Sequence, residues 1–97
     1  MNIEREGSDV FLHGTTNLAT ANTPTQLTTW TEARKGITIK APAGNSGTIY
    51  VGKAKSVTAD NGFPLSANET VFVRVQDVSQ VYVFNATAND TASWIVN

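Results

Sequence analysis

Cysteine is missing from this 97-residue chain, so disulfide staples and thiolate metal sites are excluded and packing alone must hold the fold. Charge is scarce as well. Seven basic and eight acidic side chains nearly cancel to a net charge of -1, and charged residues are only 15% of the total. Nucleic acids and acidic membrane surfaces are bound through dense fields of one sign, so neither is an expected partner. No apolar run approaches the roughly 18 residues of a membrane span, and Met1 to Glu6 leads into no apolar signal core. A mature, soluble chain is the expectation.

Groups that carry chemistry are equally sparse. A hydrolytic triad needs a nucleophile, a base and an orienting acid, and the one histidine, His13, lies between Leu12 and Gly14 as an ordinary strand-end residue. Beyond the N-terminal Glu4, Glu6 and Asp9, the acids Glu32, Asp60, Glu69, Asp77 and Asp90 are scattered over separate turns. Paired-carboxylate chemistry needs two of them about 5 to 9.5 Å apart across a cleft, which this spacing does not suggest. Ala59-Asp60-Asn61-Gly62 offers two oxygen ligands without the spaced acids of a calcium loop, and reads as a β-turn of residues that tolerate positive φ. Gly44-Asn45-Ser46-Gly47 lacks the lysine and following helix of a phosphate cradle. The Asn-Xaa-Thr triplets at Asn68, Asn85 and Asn89 are chance products of a chain with abundant Asn and Thr. No enzyme activity, catalytic residue, cofactor or metal is expected.

What is present is alternation. Gly36-Ile37-Thr38-Ile39-Lys40 and Thr48-Ile49-Tyr50-Val51 each place apolar residues at every second position, the period of a strand with one buried face. The Ala41 to Gly47 stretch between them is rich in turn formers and suggests a hairpin with a long loop. Thr70 to Val75 puts Val71, Val73 and Val75 on one face, with Phe72 and Arg74 on the other. Val81-Tyr82-Val83-Phe84 is apolar on both faces, as in a central strand or one lying against a partner. Turns at Asp77 to Gln80 and Ala88 to Thr91 flank it, and Ser93-Trp94-Ile95-Val96 ties the end of the chain into the sheet. Val10-Phe11-Leu12 and Gln26 to Trp30 read as short strands, whereas Gly14 to Thr25 has no apolar rhythm. The pattern predicts a single all-β domain: a small antiparallel β-sandwich or jelly-roll-like barrel of six to seven strands. Within it, residues 1–25 form an N-terminal arm or loop region with one short strand, and residues 26–97 form the sandwich body.

Thr, Asn, Ser and Gln supply most of the polar surface, a neutral skin that can rest against another protein at low desolvation cost. Candidate contact residues are Phe11 and Leu12 in the N-terminal region, and Trp30 and Tyr50, whose rings suit either core packing or stacking on a sugar. Asn61-Gly62-Phe63-Pro64-Leu65 adds a further group. There Asn61-Gly62 favours a turn of positive φ, Pro64 stiffens the next step, and Phe63 and Leu65 put two apolar side chains on one connection, which either plugs the sandwich or projects Phe63 into a neighbour as an anchor.

Gly47-Thr48-Ile49-Tyr50-Val51-Gly52, then Val57-Thr58 leading into Asn61-Gly62-Phe63-Pro64-Leu65, then an acidic turn at Asp77 before Val81-Tyr82-Val83, resembles small virion proteins of tailed bacteriophages. The upstream Gly36-Ile37-Thr38-Ile39-Lys40-Ala41 fits the same pattern, which covers about half of the chain; residues before Gly36 add nothing to it. The resemblance implies a capsid decoration or cement protein that binds the head surface and stabilises it. Its implied partners are the major capsid protein and copies of itself, as a dimer or trimer, and its implied place is the virion. A neck or tail-fibre component and a carbohydrate-binding sandwich are the alternatives.

Overall fold

The computed structural model describes residues 12–97. It contains eight strands: β1 (Leu12–Leu18), β2 (Thr25–Gln26), β3 (Gly36–Lys40), β4 (Ile49–Lys53), β5 (Phe63–Leu65), β6 (Thr70–Arg74), β7 (Val81–Asn85) and β8 (Asp90–Val96). Single 3₁₀ turns at Ala54–Ser56 and Val78–Gln80 complete the regular structure. One sheet has the order β1-β8-β3-β6 and the other β2-β7-β4-β5, with every neighbouring pair antiparallel. First strand pairs with last, second with seventh, third with sixth and fourth with fifth, which is a long hairpin rolled up on itself and the connectivity of a jelly roll. The two sheets face each other as a sandwich and do not close into a barrel.

Alternation decides which side chains meet between the sheets. Ile37 and Ile39 of β3, Leu18 of β1 and Val96 of β8 face Ile49, Leu65 and Val83 of the second sheet, all of them fully buried. The register is continuous across the first sheet: Leu12, Val96, Ile37 and Val73 form one row, and Trp94, Ile39 and Val71 another. The alternation read at β6 is observed, with Val71 and Val73 partly buried against the core and Phe72 and Arg74 exposed. β7 is the central strand its two-sided apolarity suggests, lying between β2 and β4.

Several local expectations are corrected. β1 continues through Leu18 and pairs along its whole length with β8, so residues 12–18 belong to the body rather than to an arm. Its period was hidden because inward positions 14 and 16 are Gly and Thr. The apolar filling comes instead from the neighbouring strand, where Trp94 lies so close that a Cβ on Gly14 would stand 2.7 Å from its ring. The Trp94 indole Nε1–H donates to Thr16 Oγ1 at 3.0 Å. Trp94→Phe is expected to cost about 1 kcal/mol through loss of that bond, read as a lower urea midpoint, and an unchanged midpoint would deny the bond any role.

Likewise, Ala41 to Gly47 does not close a hairpin, since β3 and β4 lie in different sheets. The loop crosses between layers and is pinned to the start of β8. Asn45 donates from Nδ2 to the Thr91 carbonyl and accepts from the Thr91 N–H at Oδ1, both at 2.9 Å, standing in for a strand partner. The strand expected over Gln26 to Trp30 is instead the two-residue β2, Thr25–Gln26, beyond which Leu27 turns into the core. β5 is the strand that periodicity did not suggest, being three residues long with a proline at its centre.

Candidate functional site

The outer strands of the two sheets, β6 and β5, lie on the same side of the sandwich, and the layers gape between them. The opening is a cleft of about 590 Å³. Val51, Phe63 and Val81 form its wall on the second sheet, and Val71, Val73 and Val75 its wall on the first, with Phe72 bordering it. Phe63 is 56% exposed and Phe72 47%, and these two are the exposed large apolar side chains among the described residues. Both therefore belong to one feature. Lys53, Arg74 and Gln80 supply its polar margin, and no acidic side chain lines it.

The cleft follows from local sequence. β6 alternates Val with Phe and Arg, so its inward valines extend past the end of β5, which is too short to cover them. On the far side, the connection from β4 to β5 folds outward over the second sheet instead of capping the opening. Val57 is buried there, outside the main core, against the outer face of β4. Asn61 holds this connection by accepting from the Thr58 N–H at 2.7 Å and donating to the Ser56 carbonyl at 3.1 Å.

Asn61 and Gly62 are thus not the positive-φ turn expected of them; left-handed residues of the described chain are Asn22, Ala54, Asn68 and Asn89. Glycine is needed at 62 for space, because a Cβ would stand 2.7 Å from the Tyr50 Cβ and 2.8 Å from the Val57 side chain. Of the other contact candidates, Phe63 lines the cleft and Pro64 is exposed beside it on β5, whereas Leu65 is buried in the core. Leu12 and Trp30 pack against that core as partly buried residues. Trp30 hides its indole Nε1 without a hydrogen-bond partner, so its ring does not stand out as a platform. Tyr50 points outward from β4 and leans on Phe84, the ring centroids 6.2 Å apart. Phe11 lies outside the described residues, as does the rest of the stretch 1–11.

No family model, characterised protein or solved structure matches the chain.

The remaining chemistry-bearing side chains do not converge. His13 stands on the outward face of β1 opposite Ile95. Asp77 accepts from the Ser79 N–H at 3.0 Å and caps the Val78–Gln80 turn. Asp90 is taken up by the loop before β4. Among the described residues no three His, Cys, Asp or Glu side chains cluster as metal ligands. The cleft itself combines apolar walls with a cationic margin, an arrangement suited to holding an apolar, acidic surface. Phe72 was the residue sequence reasoning undervalued; its signal was a large apolar side chain on the outward, polar face of an alternating strand.

Proposed function

We propose that this chain is a non-enzymatic structural protein of a tailed-phage virion, most specifically a decoration or cement protein that docks on the head and reinforces it. The observation that carries the docking is that the exposed large apolar side chains of the described residues, Phe63 and Phe72, stand at one cleft flanked by sheet edges. An apolar anchor set in a polar surround is how a small domain gains affinity from few contacts. The choice of the phage head rests on the resemblance of Gly36 to Ala41 and Gly47 to Val83, and repetition on a symmetric shell multiplies a modest single-site affinity. Self-association as a dimer or trimer, covering open edges, is part of the same reading.

The test is saturable co-sedimentation of the purified protein with expanded heads, alongside quantification in purified particles. Many copies per particle support decoration, few place the protein at the neck or fibre, and absence from the particle overturns the proposal. Phe63→Ser with Phe72→Ser is expected to weaken head binding at least tenfold. Because both rings are exposed, urea stability should change by no more than about 1 kcal/mol.

A further inference from the structure

Four strands end the two sheets, and they are not equivalent. β2 is two residues long. β5 carries Pro64, which has no N–H to offer. β1 is polar through its middle, His13 to Asn17. β6 alone combines five proline-free residues rich in Val and Phe with an apolar cleft along its side.

Its backbone direction follows from the hydrogen bonds at its start. Ala41 N–H donates to the Glu69 carbonyl at 2.9 Å, and the Ala41 carbonyl accepts from the Asn68 N–H at 2.6 Å. Backbone groups alternate in direction along a strand, so Ile39 and Ile37 also face β6, opposite Val71 and Val73. The N–H and C=O groups of Thr70, Phe72 and Arg74 consequently point away from β3, toward the open edge.

We infer that this edge takes up an extended segment of the partner protein as a fifth strand of the sheet, with alternate apolar side chains entering the cleft and an acidic residue at the end that lies beside Arg74 and Lys53. The alternation follows from strand geometry: a segment paired to β6 directs every second side chain between the layers, where Val51, Phe63 and Val81 form the opposite wall. The acidic end follows from charge: Lys53 closes β4 and Arg74 closes β6 at the same end of the cleft, with no carboxylate in its lining, whereas Glu69 precedes the other end of β6. This rests on the reading of the chain as a docking protein and names the chemistry of the segment it grips.

The probe is a heptapeptide, Glu-Val-Ser-Val-Ser-Val-Glu, compared with its Lys-ended counterpart by NMR titration of the full chain. The acidic peptide should shift the amide signals of Thr70 to Arg74 and slow exchange at Phe72, and the Lys-ended one should bind at least tenfold more weakly. Phe72→Pro removes the outward N–H without touching a bond to β3 and should abolish the effect. Phe72→Ser keeps the N–H and should retain strand pairing at reduced affinity, and Arg74→Glu should erase the preference for the acidic peptide. Equal binding of both peptides, shifts elsewhere, or no shift overturns the inference. Head binding by wild type that survives in Phe72→Pro leaves the docking proposal intact and removes this one; the reverse pattern, peptide capture without head binding, removes only the head. A dimer that Phe72→Pro converts to monomer assigns the edge to a second copy of the chain and overturns a foreign segment.

Discussion

Gly36→Ala is expected to destabilise the protein by about 3 kcal/mol or more, a large part of the roughly 5 to 15 kcal/mol that holds a domain of this kind together. Gly36 opens β3 with φ of 154°, a conformation that L side chains rarely adopt. An added Cβ would also fall 2.0 Å from the Val73 carbonyl oxygen and 3.0 Å from the Arg74 Cα, both backbone atoms of the paired strand. No rotamer change relieves a clash with backbone, so β3 and β6 must separate where the row of Val96, Ile37 and Val73 crosses them. The thermal midpoint should fall by more than 10 °C, at about 4 to 8 °C per kcal/mol for a domain of this size. Because β6 forms one wall of the cleft, partner binding should fall with it. Gly44→Ala is the control: nothing lies within 4 Å of a Cβ built there, so its midpoint should stay within about 0.5 kcal/mol of wild type or rise slightly. Equal midpoints for the two variants would show that β3 and β6 tolerate displacement.

Asp90→Ala should cost about 3 kcal/mol by a different route. The carboxylate is 4% exposed and accepts from the Ser46 N–H at Oδ1 and the Gly47 N–H at Oδ2, each at 2.9 Å. Removing it strands two partly buried donors and frees the crossover from β3 to β4 at the end of the sandwich opposite the cleft. Asp90→Asn should cost less, since its amide oxygen still satisfies one donor. The specific readout is hydrogen exchange: protection at Ser46 and Gly47 should collapse in Asp90→Ala while protection at the Val73 amide, which faces β3, is little changed. Under conditions where the variant stays folded, cleft binding should survive. Retained protection at Gly47 would show that the loop is held by Asn45 alone.

Both positions illustrate how far the chain could be read unaided. Asp90 appeared as one of several scattered acids in a turn, and nothing near it in sequence marks Ser46 and Gly47 as its partners. Gly36 appeared as the first residue of an alternating strand, and its need for glycine comes from a carbonyl 37 positions later, at Val73. The contact candidates divide in the same manner. Phe63 was recognisable as an apolar residue next to turn formers, but the identical argument selected Leu65, which the pairing of β5 with β4 turns into the core opposite Ile49.

Local patterning determined the class of fold and the inner and outer faces of β3 and β6, because a strand's side chains alternate whatever the strand pairs with. It also left the polar skin of Thr and Asn legible, since that depends only on composition. Tertiary structure decided the rest: which sheet each strand joins, the crossover where a hairpin was expected, the inclusion of residues 12–18, and the cleft. Those depend on contacts between residues far apart in the chain. Trp94 fills the space beside Gly14, and a short, proline-bearing β5 leaves the valines of β6 uncovered. Neither a filled hole nor an uncovered edge is written in any run of neighbouring residues.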